Sequence, residues 1–552
     1  PNKDHGGRRM RTLPTRSHGF HFLTGLKANY FSKFSKAPVI CKLVGKKVLD
    51  GVGQPALEVE IYCTVKNYEK RICSTVMATH SQIPENALPE AIEADEKERN
   101  DSVHTAVQWV SEALNTMLRD LDPTDQCQAD KMLGEYFANK IEEKKKIEKQ
   151  EEEKRKAEEE AAKATHASPS CPSASPSKQR RGGRPEVNPI PPAEPAEPVL
   201  RGSLAIGGTS LAIAKAGATI SRVPLYLHTA LLKHNQESPK EMILPLPMVT
   251  VLNCEKKLPT KLKLVKEVML IPPMYSIDTT LITYVHKYPP PLKRISHLGC
   301  LTIGYDNLEQ LLLQLQTACN NIGLELGTDM YLAINCAAHE LMDYGKGKYE
   351  ILTGTFKSPD EMVAMYVEMI DNFPFIIALI DPLRKEDREQ WSSICCALGS
   401  RCYLFAEDAA TQISKLKSDQ NINMAMCSGV VLKYTNQTKV SDLIELTGVL
   451  DGSLDRESSD ESLVDLAVGL GARFLKLGGL SRGERVAKYN RLLAIEEELA
   501  ANGALRTSQI PHLPRGPETY IANKTSFHHP LLYVTFPAKC VWKAAIAWVS
   551  LK

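Results

Sequence analysis

The sequence has almost no net charge: 68 lysines and arginines face 66 aspartates and glutamates, a formal +2 at pH 7 over 552 residues. No global field draws such a chain onto nucleic acid or an anionic membrane, so partners have to be sought at individual sites. A C-x-x-C pair is missing too. The 14 cysteines, with Cys395 and Cys396 adjacent, fit neither a zinc ribbon nor a small disulfide scaffold, and reduced cytosolic thiols are expected. No run of about eighteen apolar residues occurs, so no membrane span is expected. No basic-then-apolar leader opens the sequence given, and the N-x-T triplets at Asn436 and Asn523 are expected to stay unglycosylated.

What is present divides into stretches of different grammar. Residues 1–36 mix Gly, Arg, His and Phe without period and stay unassigned. From Ala37, "APVICKLVGKKVLDGVGQPALEVEIYCTV" reads as an antiparallel meander punctuated at Asp50-Gly51 and Gly53. In "DSVHTAVQWVSEALNTMLRDL", Val103, Val107, Val110, Leu114 and Met117 fall at helical spacing behind Asp101 or Ser102, either of which can cap a helix packed on that sheet. Between Lys140 and Lys163 nearly every residue is Lys, Glu, Arg, Ala or Gln, with opposite charges three or four apart; an exposed helix held by its own ion pairs is expected. From Ser168 to Pro198 the chain turns to Pro, Ser, Ala and Glu around a basic knot, "KQRRGGR", a composition that cannot repay its ordering entropy. Residues 141–199 read as an insertion and linker, either a solvated spacer or a docking site for a protein partner.

From Pro245 onward apolar strand-like runs end in a polar residue, then a loop, then a helix-period segment. "MYLAIN", "FIIALID", "CYLFAED", "GVVLK" and "RFLKLGG" each lead one such unit. Repeated β–loop–α units imply parallel strands with crossover helices, and apolar strands without alternation imply cover on both faces. The fold class is therefore α/β, a (β/α) barrel first and a doubly wound open sheet second. In such barrels reactive residues come from the C-terminal strand ends, here Asn335, Ile380-Asp381, Glu407-Asp408, Lys433 and Lys476, with Glu267 in the earlier run "LKLVKEVMLIPP". Two lysines and several carboxylates in one mouth would lower a lysine pKa and bind a cation, as removal of a proton next to a carboxylate requires. The plainer alternative is that these charges solvate the rim. Ser481 to Glu484, after two glycines, matches a capping box opening a long helix, either an anion site beside Lys476 and Arg482 or an ordinary capped helix.

The string "LSRGERVAKYNRLLAIEEEL" resembles the stretch that follows the substrate-binding lysine of enolases. The likeness continues in "KKVLDGVGQPALEVEIYC", "GGTSLAIAKAGATISRVPLYLH" and "LPLPMVTVLN", and the long charged insertion and the wording "INCAAHELMDYGKGKYE" resemble a divergent sperm-type branch. The resemblance implies a small α+β N-terminal domain over 37–140 and 200–240, interrupted by 141–199, then a barrel over 241–505 and a divergent tail over 506–552. It also implies a homodimer, dehydration of 2-phosphoglycerate to phosphoenolpyruvate, a Mg²⁺ cofactor, cytoplasmic location, and a flagellar or cytoskeletal partner through the insertion.

By position, Lys433 in "VVLKYTNQ" matches the family's proton acceptor, and Lys476 in "FLKLGG" its second, substrate-contacting lysine. Glu267 in "LVKEVMLIP" matches a substrate-side glutamate, and Glu407 stands where one metal aspartate lies. Asn335 and Ile380 replace the other two metal carboxylates, so formal ligand charge falls by two; Asp381 or Asp408 would need a bulge to turn inward. Leu301 in "GCLTIG" replaces the acid glutamate, Leu258 stands near a substrate histidine, and Ser81 matches the mobile serine loop. Across "GVLDGSLDRESSDESLVDLAVGL" the strand that grips phosphate with His-Arg-Ser is expected to be deleted, which would leave the barrel open. Dehydration is accordingly expected to be impaired, and the alternative is a silent enolase-fold interaction protein of the sperm flagellum.

Overall fold

The computed structural model describes residues 37–506 apart from 52, 80–87, 166–189, 191, 193–199, 255–261, 273–293, 296–299, 303–305, 322, 408–426, 448–451 and 456–459. Ser81, Leu258, Asp408, the basic knot and the tail beyond Arg506 lie outside the described residues.

Strands β1 (Val39–Leu49), β2 (Pro55–Val65) and β3 (Tyr68–Ala78) form the expected antiparallel meander in the order β1-β2-β3. Asp50 makes the first turn by accepting the Gln54 amide at 2.8 Å, and Lys66-Asn67 make the second with φ of 52° and 67°, the left-handed pair of a two-residue hairpin. Helix α1 begins at Pro89 and runs to Trp109, twelve residues before the expected cap at Asp101, because its first three turns are exposed, polar and without apolar period. Pro89 supplies the start, its missing N–H being one that a helix N-terminus leaves unbonded.

Helix α2 runs unbroken from Gln126 to Thr165. Its first turns are docked by buried Gln126, Ala129, Asp130 and Leu133. Beyond Lys140 it is charged on all sides, with Lys140–Glu143 at 2.7 Å and Lys156–Glu152 at 2.6 Å. Helix α3 (Leu204–Ser221) is apolar enough by composition to cross a bilayer, but 78% of it is buried between the small sheet and the barrel, as in a core helix. Gly207 permits that contact, since a Cβ there would lie 2.7 Å from the Asn436 carbonyl oxygen. Helix α4 (Leu225–Lys233) follows.

Eight strands then close a barrel: β4 (Leu246–Asn253), β5 (Glu267–Ile271), β6 (Tyr331–Asn335), β7 (Ile376–Ile380), β8 (Tyr403–Ala406), β9 (Gly429–Lys433), β10 (Gly452–Asp455) and β11 (Phe474–Gly478). Among the described helices, α5 (Leu308–Asn321) precedes β6, and α6 (Pro359–Asn372), α7 (Arg388–Leu398), α8 (Val440–Thr447), α9 (Ser462–Leu470) and α10 (Gly483–Ala501) lie between or after later strands. Pairing of β11 with β4 completes the ring. The expected deletion is corrected: β10 fills the gap, parallel to β9 and β11. Four residues, Gly-Ser-Leu-Asp, carry no apolar run, and the strand exists because both neighbours pair with it.

Strand β5 departs from the parallel order of the ring, running antiparallel to β4 and β6. Its N-terminal residue therefore reaches the same end of the barrel as the C-termini of the others. The capping box expected at Ser481 does not form either. Helix α10 starts at Gly483 with Arg482 as N-cap and no side-chain cap, so Ser481 lies one residue too early. A complete capping box is instead found at Ser358 and Glu361, opening α6.

Candidate functional site at the barrel mouth

Alternation along a strand decides what faces the barrel axis. Met248, Met269, Ala333, Ala378, Phe405, Val431 and Phe474 belong to one buried cluster inside the ring. Tyr403, Phe405 and Phe474 stack or meet edge to face within it, with centroids 5.5–5.9 Å apart. Two residues nearer the mouth on the same faces stand Thr250, Glu267, Asn335, Ile380, Glu407, Lys433 and Lys476. An apolar floor thus carries a layer in which Ile380 is the one apolar residue.

The polar members are bonded to each other. Lys476 Nζ lies 3.0 Å from Glu267 Oε1 and 3.6 Å from Glu407 Oε2. Lys433 Nζ lies 2.7 Å from Glu407 Oε1. Asn335 Nδ2 donates to Glu267 Oε1 at 3.1 Å and to Glu407 Oε2 at 3.2 Å. Its orientation is set from the other side, because Asn335 Oδ1 accepts the Ala337 amide at 3.1 Å and cannot turn inward without losing that bond. Thr250 Oγ1 reaches Glu267 Oε2 at 3.3 Å. Glu267 and Lys476 are both almost wholly buried, whereas the Lys433 side chain is 31% exposed and so is the member within reach of a visiting molecule.

Burial is the largest single influence on the Glu407 carboxyl and pushes it up. The Lys476 and Lys433 ammonium groups, with Lys266 farther off, outweigh burial and hold it well below the usual carboxylate range. Lys266 shows the converse: burial pulls it down, and Glu340 at 2.8 Å, helped by Glu267 and Glu407, leaves it raised. Glu267 and Glu407 are thus each already paired with an ammonium group.

These residues do not fit a divalent magnesium ion. Mg²⁺ needs charged or carbonyl oxygens in near-octahedral array. Asn335 offers N–H to the interior, Ile380 is fully buried and offers no oxygen, and Glu407 is engaged by two lysines. No group of three or more His, Cys, Asp or Glu placed to hold a metal occurs among the described residues. Asp381 does leave regular strand geometry, with φ 46°, as a bulge at this point would require. Its carboxylate nonetheless turns to the neighbouring backbone: Oδ1 accepts the Glu407 amide at 2.7 Å, and Oδ2 lies 3.7 Å from His339 Nδ1. Ala337, with φ 40°, is the second left-handed non-glycine residue at the mouth, and backbone strain of this kind concentrates at functional sites.

The structure thus brings together Glu267, Asn335, Ile380, Glu407, Lys433 and Lys476. Leu301 lies in a two-residue strand, Leu301–Thr302, in register with Leu252 and Asn253 at the end of β4. Residues absent from the sequence-based set are Thr250, the hydroxyl on Glu267, and Asp455, which the β10 register sets between Lys433 and Lys476. Strand alternation from Met248 would have found the first; the second needed β10 to be recognised.

Comparison with known proteins follows the same lines. A family model described as the enolase C-terminal TIM barrel domain matches residues 299–511. The chain is 47% identical over 563 residues to a mouse protein called Enolase 4, covering 94% of this chain and 91% of that protein. It is 49% identical over 524 residues to human Enolase 4, covering 87% and 84%, and 38% identical over 497 residues to zebrafish Enolase 4, covering 86% and 85%.

Proposed function

The chain belongs to the enolase family, and from that premise we propose that its barrel mouth binds a phosphorylated three-carbon acid, 2-phosphoglycerate or phosphoenolpyruvate, and interconverts them poorly. Lys433 takes the part of the C2 proton acceptor, Lys476 and Glu267 contact the substrate's acidic end, and Glu407 poises both lysines. The observation that carries the proposal is the network in which Glu407 and Glu267 hold two ammonium groups while Asn335 offers an N–H and Ile380 no oxygen to a cation.

Physical chemistry sets the expected deficit. Proton removal next to a carboxylate builds a second negative charge there, and the cations described at the mouth to meet it are Lys433 and Lys476. Lys433, an ammonium while it pairs with Glu407, must also lose a proton before it can accept one. With Leu301 where the family has its acid, no group among the described residues is assigned to protonate the departing hydroxide, and loss of one positioned acid alone costs about 10²–10⁴ in rate. The test is phosphoenolpyruvate formation from 2-phosphoglycerate, followed by absorbance with and without Mg²⁺ beside an active enolase. Residual turnover at or below about 10⁻² of that enolase, insensitive to Mg²⁺ and lost in Lys433→Ala, is expected. A rate equal to the active enzyme's refutes the reading.

A second reading is favoured by helix α2, which leaves the domain as a charged arm held by its own ion pairs. In that reading residues 141–199 dock a cytoplasmic, flagellar or cytoskeletal partner and the mouth is a relic. Co-sedimentation of the full chain with axonemes, lost on deleting 141–199, is its test; binding that survives the deletion contradicts it.

A further inference from the structure

The helix that follows the Lys433 strand is capped by the other domain. Helix α8 starts at Val440, and a helix leaves its first amides without partners inside itself. Here the Val440 amide donates to Ser210 Oγ of α3 at 2.9 Å, and the Ser441 amide donates to Asp130 Oδ2 of α2 at 2.9 Å. Ser441 Oγ donates to the same oxygen at 2.7 Å. Asp130 is 1% exposed, and its other oxygen accepts Gln126 Nε2 at 3.0 Å. Gln126 Nε2 in turn reaches Ser210 at 3.1 Å and 3.2 Å.

The loop between Lys433 and α8 is held in the same way. Tyr434 donates its hydroxyl to the Gly207 carbonyl at 2.8 Å, and the Gly207 amide donates to the Asn436 carbonyl at 2.9 Å. Apart from those of Gln126, every one of these contacts crosses from the small domain to the segment 434–441. Little else in the mouth is tied to that domain so directly: Glu267, Asn335 and Glu407 are held by barrel residues.

We propose that Asp130 is a positioning residue for Lys433: by capping α8 across the domain junction it fixes the strand end from which Lys433 reaches Glu407. It touches no reacting atom and acts through Ser441 and the 434–441 loop. This inference rests on the reading of Lys433 as a functional residue of the mouth, but its central measurement does not need that reading to hold.

The experiment compares full-length wild type, Asp130→Ala, Asp130→Asn and Ser441→Ala in three readouts: amide hydrogen exchange over 434–441, labelling of Lys433 by an amine-reactive reagent read by mass spectrometry, and phosphoenolpyruvate binding by calorimetry. Should Asp130→Ala fail to fold, Ser441→Ala, which removes the hydroxyl bond to Asp130 Oδ2, carries the test, and Asp130→Asn is the conservative control expected to stay near wild type. Its amide keeps one acceptor for the Ser441 N–H, while its new N–H₂ can meet Gln126 Oε1, which has no hydrogen-bond partner. A hydrogen bond to a charged acceptor corresponds to about tenfold or more in local opening. In Asp130→Ala and Ser441→Ala, exchange of the 434–441 amides and labelling of Lys433 are therefore expected to rise about tenfold while exchange in β6 and β7 stays unchanged. Unchanged exchange at 434–441 and unchanged labelling in a folded Asp130→Ala protein, or in Ser441→Ala where Asp130→Ala does not fold, overturn the proposal. Faster exchange and labelling in a chain whose wild type binds no phosphoenolpyruvate upholds the positioning role and defeats the substrate reading instead.

Discussion

Replacing Asn335 by aspartate inverts the electrostatics of the mouth with almost no change of shape. In the wild type its Nδ2 donates to Glu267 Oε1 at 3.1 Å and Glu407 Oε2 at 3.2 Å, with the donor 2% exposed. Hydrogen bonds to charged partners contribute about 1.5–3 kcal/mol each, so two lost together cost about 3–6 kcal/mol. A third buried carboxylate, now facing two others at hydrogen-bonding distance, adds repulsion to that loss. In a domain of this size 1 kcal/mol corresponds to about 2–4 °C, so a fall in Tm of about 10 °C is expected. The new carboxylate also restores one missing metal ligand. Adding Mg²⁺ should then recover part of the loss, by about 2.7 kcal/mol at a hundredfold excess over Kd, while the wild-type Tm stays unmoved. Thermal melts of both proteins, in EDTA and in a Mg²⁺ series, provide the readout. An Asn335→Asp protein as stable as wild type without metal would refute the placement of the amide between the carboxylates.

Three further outcomes follow from the same contacts. Lys476→Ala strands the buried Glu267 carboxylate and should cost about 3–5 kcal/mol in urea melts, whereas Lys433→Ala should cost about 1 kcal/mol because Glu407 keeps Lys476; equal losses would contradict the network. Burial lowers His228 to about 4 from an ordinary 6.5. Its folded form thus refuses a proton that the unfolded chain takes up, and stability falls as pH drops from about 6.5 toward 4, by at most about 3 kcal/mol; His228→Gln should flatten that slope, and an unchanged slope would place the acid sensitivity elsewhere. A peptide of residues 138–165 should be helical at low salt and lose helicity in 1 M NaCl, since its pairs contribute only about 0.3–0.5 kcal/mol each and are screened; salt-insensitive helicity would mean the ion pairs do not hold it.

How much could be read without coordinates depended on the type of signal. Strands such as Tyr331–Asn335 and Gly429–Lys433 announced themselves as apolar runs ending in polar residues, and Ile376–Ile380 as one followed by Asp381; the three strand ends do meet in one mouth. Gly452–Asp455 carried no such run, because its pairing is borrowed from two neighbours and needs no hydrophobic face of its own. The reversal of Glu267–Ile271 was equally invisible: strand direction is set by connectivity, and a five-residue run looks the same either way. Helix α1 begins at Pro89, twelve residues ahead of the Asp101 cap that the apolar spacing points to, because its opening turns show no apolar period. Candidate site residues were readable from alternation and resemblance, but the orientation of the Asn335 amide was not. That orientation depends on the Ala337 N–H, whose residue sits in a left-handed conformation that spacing does not encode.

A calorimetric titration of Mg²⁺ into the full-length wild-type chain bears most directly on the mouth as described. No stoichiometric heat at millimolar metal is expected, with or without 2-phosphoglycerate. A saturable one-to-one site that disappears in Glu407→Ala would show that the lysine-bound carboxylates open to hold a divalent cation after all.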